Sequence, residues 1–205
     1  MPNTHQLYWI VKRALDIAIS ATLLLLLAPL FLVVAAAIKI EDAAGPVFFR
    51  QKRTGQGGRK FDVLKFRTMV SNAEELKERL RAQSLVPWPD FRVENDPRVT
   101  AVGRFLRKTS IDELPQLINV LRGQMTLVGP RPTSFDVTTY DLWHTGRLDY
   151  RPGMTGPWQV WGRDSMDFDE RCRLDISFFR RPSILRELRL LVATVGVVFK
   201  RTGTA

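Results

Sequence analysis

Asp112 and Glu113 are adjacent carboxylates at the head of a stretch in which Leu114, Leu117, Ile118 and Leu121 recur at helical spacing. That pattern predicts a helix from about Ile111 to Arg122, stopped by Gly123. With Ser110 as N-cap, Glu113 completes a capping box, which explains Glu113 fully as a structural residue. Pro115 prefers the first helical turn, so Asp112 as N-cap suits it better. Either way Asp112 lies at the positive end of the helix dipole, where a carboxylate stays ionised and phosphoryl oxygens are welcome. Capping and chemistry are both open to the pair on these grounds.

The basic residues around the pair favour chemistry. Arg107 and Lys108 precede it, and Arg131 follows, locked between prolines in Gly129-Pro130-Arg131-Pro132. A fixed guanidinium is pre-organised to fork onto phosphate. Arg163 closes a second rigid stretch that opens at Pro152-Gly153. Each arginine alone is an ordinary ion-pair partner; several around one Asp-Glu pair resemble a diphosphate site. Mg2+ would suit it, held by one carboxylate plus substrate phosphates. The glycines at 55, 57 and 58 match no phosphate-loop spacing and read as turn formers.

The chain that must position these groups has 205 residues, a formal charge of +10 and a pI near 10.3. That excess points to an anionic partner: nucleic acid, lipid head groups or a phosphorylated substrate. One cysteine, Cys172, excludes an internal disulfide, and Cys172, His5 and His144 are too dispersed for a Cys/His zinc site. From Ile17 to Ile38 no residue is charged, a length that suits a membrane segment rather than the shorter core of a cleaved signal. Basic residues flank both ends: Lys12 and Arg13 before, Lys39, Arg50, Lys52 and Arg53 after. A helix that crosses once cannot keep both flanks on one side. Pro29 bends the segment in its middle. A helix-break-helix that enters and leaves on the cytoplasmic face meets both observations; a kinked spanning helix is the alternative. Lys12, Arg13 and Asp16 sit at helical spacings at the membrane interface, open to an ion pair or to snorkelling.

Residues 46–51 and 60–66 read as a hairpin. Ser71 and Glu74 mark the start of a charged helix to about Gln83, and Trp88 to Arg98 is a proline-rich loop. Thr100 to Lys108 suggests a short helix with Val102, Phe105 and Leu106 inward. Further helices are expected around Phe135–His144 and Ser183–Lys200, the last either in the core or at the membrane interface. Trp88, Trp143, Trp158 and Trp161 could stack on a base or sugar, or simply pack.

Several strings together resemble one family: Lys12-Arg13-x-x-Asp16, Lys65-Phe66-Arg67-Thr68-Met69, Asp112-Glu113-Leu114-Pro115-Gln116-Leu117, Asn119-Val120-Leu121-x-Gly123, Val128-Gly129-Pro130-Arg131-Pro132, and Arg151-Pro152-Gly153-x-Thr155-Gly156-x-x-Gln159-Val160-x-Gly162-Arg163. The chain resembles the bacterial sugar transferases, the monotopic polyprenyl-phosphate phosphoglycosyl transferases, in their minimal catalytic form. The resemblance implies that Asp112 attacks the phosphate next to the sugar of a nucleotide sugar, of the UDP class, and releases a nucleoside monophosphate. Polyprenyl phosphate then takes the phosphosugar from Asp112. It implies Glu113 as the Mg2+ ligand, with Lys65, Arg107, Arg131, Gln159 and Arg163 binding substrate. It also implies a re-entrant helix broken at Pro29, where Ala28 replaces the family's frequent serine.

The expected fold is therefore α+β, mainly helical: a re-entrant anchor over residues 1–40 and a cytoplasmic catalytic domain over 41–205, with a small hairpin and interfacial helices. Expected partners are polyprenyl phosphate, a nucleotide sugar and bacterial membrane lipids, not nucleic acid, at the cytoplasmic face of the inner membrane. Two other classes explain part of the sequence: a basic membrane-surface binding protein, and a direct glycosyl transferase that releases nucleoside diphosphate.

Overall fold

The computed structural model describes residues 4–80, 93, 95–162 and 166–200. Two consecutive helices open the chain, α1 (Thr4–Leu26) and α2 (Ala28–Glu41), bent by 59° at Leu27. Pro29 falls in the first turn of α2, where its missing N–H costs nothing, while the ladder it leaves unmade from Leu25 permits the bend. Neither helix alone is long and apolar enough to cross a membrane; the bent pair reaches that threshold together by length and composition alone. Leu25, Leu26, Leu32 and Val33 around the bend are all more than 60 % exposed.

The feet of this pair are fastened to the rest of the chain. Lys12, buried, donates to the Val128 carbonyl at 2.9 Å and pairs with Glu187 at 2.5 Å. Asp16, also buried, accepts from the Thr126 hydroxyl at 2.6 Å and from the Leu127 N–H at 3.0 Å. Arg13 donates to the carbonyls of Val120 and Leu121 at 2.7 and 2.9 Å. So the Lys12-Arg13-x-x-Asp16 string acts as a clip onto the folded domain: the ion pair of Lys12 is with Glu187, and Arg13 caps a helix end. At the far foot, Glu41 accepts from the N–H groups of Ala101 and Val102, and Asp42 from Arg67 and Ser71.

The hairpin forms as expected, β1 (Phe48–Thr54) antiparallel to β2 (Lys60–Phe66), with Gly57 and Gly58 at positive φ in the turn. After it come α3 (Ala73–Leu80) and α4 (Ala101–Thr109), whose Thr100 cap accepts from the Gly103 N–H at 2.9 Å. The proline-rich loop and Trp88 lie almost wholly outside the described residues. Leu106 is buried and Val102 packs beside it as expected, whereas Phe105, also expected inward, is 59 % exposed; Gly103 completes the buried face. Gly103 is there because a Cβ would meet the Thr68 carbonyl at 2.0 Å.

The single helix expected over 111–122 is two pieces: a 3-10 turn at Ile111–Glu113 and α5 (Gln116–Leu121). Pro115 cannot donate to a continuous ladder, and Ser110 is left-handed (φ 57°) because it terminates α4. Ser110 makes no capping hydrogen bond to the turn, so the capping-box account of Glu113 fails. Gly123, at φ 76°, stops α5 as expected.

Two short parallel strands, β3 (Thr126–Val128) and β4 (Gly153–Thr155), follow. Between them the helix expected at 135–144 is replaced by 3-10 segments at Val137–Thr139 and Leu142–Asp149. Asp136 bonds the Thr138 N–H, and the Asp141 N–H donates to His144 Nδ1, so local side chains take backbone partners an α-helix would need. A π-helical turn (Trp158–Gly162), α6 (Phe168–Phe179) and α7 (Ile184–Lys200) complete the described chain. Val63, Leu117, Val120, Met125, Phe178 and Leu190 form a core where β2, α5, α6 and α7 meet. Each such buried side chain contributes roughly 1.5–3 kcal/mol. A second cluster of Val34, Ile38, Phe66 and Leu106 seats α2 on the hairpin and α4. The last helix packs into the core through Leu190, as one of the two readings expects, while Leu185, Val192 and Val195 are more than half exposed.

Candidate active site

The residues of β2 and its extension divide their work. Lys65 turns toward Glu113, Phe66 enters the core, Arg67 holds Asp42, and Thr68 accepts from Arg107 Nε at 2.9 Å. Asn119, fully buried, pins α5 against this strand: its Oδ1 accepts from the Leu64 N–H, and its Nδ2 donates to the Asp62 carbonyl. A buried amide satisfied on both sides fixes the dyad turn relative to Lys65.

The prolines and glycines around Arg131 have a steric reason. Gly129 and Gly153 pack back to back, and a Cβ on Gly153 would lie 2.1 Å from the Gly129 nitrogen. The Gly129 N–H donates to Thr155, and the Gly153 N–H to Pro130. Behind the loop, Arg147 donates to the Arg131 carbonyl at 3.1 Å and to Asp175 at 2.8 Å, both Arg147 and Asp175 being buried.

These supports converge on Glu113. Its Oε1 accepts from Lys65 Nζ at 2.7 Å and from Arg131 Nη2 at 2.8 Å, and its Oε2 lies 3.3 Å from Arg131 Nη1. Burial alone would raise the Glu113 carboxyl, but Arg131 and Lys65 together hold it well below the carboxylate range. Asp112 is in the opposite condition. Its carboxylate accepts no hydrogen bond among the described residues. Burial first, then the Glu113 charge, push it up to about 6, against the pull of Lys65, Arg107 and Arg131. Arg107 is itself lowered by burial, though Asp112 and Asp96 oppose this.

Both carboxylates line an open cavity of about 640 Å³ with Lys65, Arg107, Arg131 and Gln159. Five of the six residues expected in the site and described here are thus joined by the sixth, Gln159, on its far wall. Gln159 Nε2 donates to Met154 at 3.3 Å, and its Oε1 is buried without a partner among the described residues. Arg163 lies outside the described residues. Trp158 lines the cavity with Arg171 over its ring at 4.7 Å, whereas Trp143 and Trp161 lie elsewhere. Thr68, quoted only within a signature string, and Arg98 and Arg147, not singled out from the sequence, belong to the site or its support. The Asp96-x-Arg98 spacing was a usable signal, since Arg98 is buried against Asp96 at 2.6 Å. For Arg147 there was none, because its partner Asp175 is remote in sequence.

A divalent cation would meet an uneven pair. Asp112 offers two free oxygens, whereas Glu113 is already bonded by Lys65 and Arg131. No cluster of three or more His, Cys, Asp or Glu exists among the described residues. The donor set fits an ion such as Mg2+ that takes one or two carboxylates and its remaining ligands from phosphates and water.

The sequence matches known proteins along nearly its whole length. It is 40% identical to the undecaprenyl-phosphate galactose phosphotransferase of Salmonella typhimurium, over 94% of this chain and 41% of that protein. It is 42% identical to the UDP-glucose:undecaprenyl-phosphate glucose-1-phosphate transferase of Caulobacter vibrioides, over 90% of this chain and 68% of that protein. It is 39% identical to the exopolysaccharide production protein ExoY of Rhizobium meliloti, over 94% and 87%. The chain spans about two fifths of the length of the longer curated relatives it matches. The model of the bacterial sugar transferase family matches residues 7–201, and the chain belongs to that family.

Proposed function

We propose that this chain transfers a sugar 1-phosphate from a nucleotide sugar, of the UDP class, to polyprenyl phosphate through a covalent phosphosugar on Asp112. One observation carries the reading: a half-buried carboxylate that accepts no hydrogen bond among the described residues stands beside a second carboxylate held by two cations. With its carboxyl near 6, Asp112 is roughly nine-tenths ionised at pH 7, yet more basic than an ordinary aspartate.

In the first step an Asp112 oxygen forms a bond to the phosphorus next to the sugar. The bond from that phosphorus to the bridging oxygen breaks, and the nucleoside monophosphate leaves with the electron pair. In the second step an oxygen of polyprenyl phosphate attacks the same phosphorus, and the bond to Asp112 breaks. Polyprenyl-diphospho-sugar departs and the carboxylate is restored. Lys65, Arg107 and Arg131 stabilise the charge on the transferring group; Gln159 and Arg163 complete substrate binding. Glu113 fixes Arg131 and Lys65 in place. Mg2+, if bound, would neutralise diphosphate oxygens, and Asp112 and Glu113 are the carboxylates that would hold it.

The bent, apolar α1–α2 pair supports an anchor that enters and leaves on the cytoplasmic face of a bacterial inner membrane. Cysteines placed near residues 5 and 45, for example at the exposed Ala43, should then be labelled from the same side, and opposite sides contradict it. The names of relatives that are exopolysaccharide production proteins support a place in exopolysaccharide assembly. Incubating the membrane-reconstituted chain with polyprenyl phosphate, Mg2+ and a panel of nucleotide sugars tests the reaction. Nucleoside monophosphate released with one donor is the expected result; nucleoside diphosphate indicates a direct glycosyl transferase, and neither product a binding protein.

A further inference from the structure

A second open cavity, of about 610 Å³, shares no lining residue with the first. It lies against the first half of α1 and is walled by Trp9, Arg13, Tyr150, Arg151, Phe179 and Arg180. Charges in and around it are unevenly satisfied. Lys12 is neutralised by Glu187, and both oxygens of Asp16 are taken by Thr126 and Leu127. Arg13 bonds two backbone carbonyls, which use its donors but do not cancel its charge. Arg151, half-buried, donates to no group among the described residues. Burial and the facing charge of Arg13 both disfavour its ionised form, and Asp16 only partly opposes them. Arg180 stands exposed at the rim, and Asp149 is the other carboxylate of the wall.

Two neighbouring guanidiniums, one whose donors meet no acceptor among the described residues, form a ready fork for phosphate oxygens. The surroundings say what the phosphate is attached to. On the same helix as Trp9 and Arg13, Leu7 and Ile10 are at least half exposed, and the uncharged segment begins at Ile17. A tryptophan beside cations at the start of an apolar segment is the pattern of the membrane head-group layer.

We propose that this cavity binds the phosphate of an anionic membrane lipid, with Arg151 as its principal contact, Arg180 at the mouth and the lipid chain running along the exposed face of α1. The site rests on the reading that α1 lies at a membrane surface. It is separate from the transfer site, and two lipid classes share its chemistry: the phosphodiester of a bulk phospholipid and the monophosphate of a polyprenyl carrier.

Native mass spectrometry of the full chain in detergent tests it, titrating phosphatidylglycerol, polyprenyl phosphate, phosphatidylcholine or inorganic phosphate with no nucleotide sugar present. The expected result is saturable binding of phosphatidylglycerol or of polyprenyl phosphate, at least tenfold tighter than phosphatidylcholine. Which of the two binds names the source. Arg151→Gln should weaken that binding roughly tenfold, the effect of losing one charge-assisted pair. Should Arg151→Gln fold poorly, Arg180→Gln should weaken it about threefold. Equal binding by a folded Arg151→Gln, equal binding of phosphatidylcholine, or displacement by equimolar inorganic phosphate overturns the proposal. Without donor sugar in the assay, failure here leaves the transfer reaction standing, and failure of transfer does not produce it.

Discussion

Replacing Glu113 by Gln removes the like charge that helps hold Asp112 near 6, and it frees Lys65 and Arg131 to act on Asp112 alone. Both changes lower the Asp112 pKa. At an effective dielectric of about 20, a like charge roughly 6 Å away contributes about 3 kcal/mol, or about 2 pKa units. Allowing for solvent at a half-buried pair leaves about one unit. Asp112 must be ionised to attack, so activity rises with pH through its pKa. The acidic limb should therefore move from about 6 to about 5 in Glu113→Gln. At pH 5 the parent retains roughly a tenth of its plateau rate and the variant roughly half of its own, much lower plateau. Single-turnover release of nucleoside monophosphate, each variant normalised to its plateau, measures this. Carboxyl carbon NMR of labelled aspartates reads the same shift without turnover. A limb that stays near 6 or moves upward refutes the charge coupling within the dyad.

Asp112 itself weakens the fold when ionised. Its pKa rises from 3.8 to about 6 on folding, so the cost is absent below about pH 4 and complete above about pH 6. Discounted for partial exposure, Asp112→Asn should stabilise by about 1–2 kcal/mol at pH 8. Thermal melts should show that gain fading as the pH approaches 4, and a gain independent of pH contradicts the linkage. Arg147→Met leaves Asp175 buried without its cation and should cost about 3 kcal/mol in chemical denaturation. The double replacement Arg147→Met, Asp175→Leu should recover most of that loss; additivity of the two single costs contradicts the pairing. Gly153→Ala drives a methyl into the Gly129 backbone and should lower donor turnover by at least tenfold through displacement of Arg131. Unchanged turnover would show that the Arg131 loop does not depend on this contact.

How much of this was readable in advance varies from residue to residue. The hairpin, the bend at Pro29 and the closing helix follow from turn chemistry, a missing N–H and apolar periodicity. The broken helix at 111–121 was less legible, because periodicity records which residues face inward and not that Ser110 turns left-handed and splits the segment. The capping reading of Glu113 failed for a related reason. Propensity treats Ser110 and Glu113 locally, whereas Lys65 and Arg131, distant in sequence, offer charge that the local N–H groups cannot match. The position of Lys12, Arg13 and Asp16 ahead of the apolar segment suggests a membrane interface and says nothing of their partners in β3, α5 and α7, which are remote in sequence. Arg147 and Asp175 left no local signal, since buried long-range pairs carry no periodicity.

The central claim is a phosphosugar carried on Asp112, and intact-protein mass spectrometry measures it directly. The full chain is mixed with its donor nucleotide sugar and Mg2+, without polyprenyl phosphate, and quenched within the first turnover. The account predicts a mass gain of one sugar phosphate mapped to Asp112, discharged by added polyprenyl phosphate and absent from Asp112→Asn. Release of nucleoside monophosphate only when polyprenyl phosphate is present, with no adduct in the parent, would contradict it.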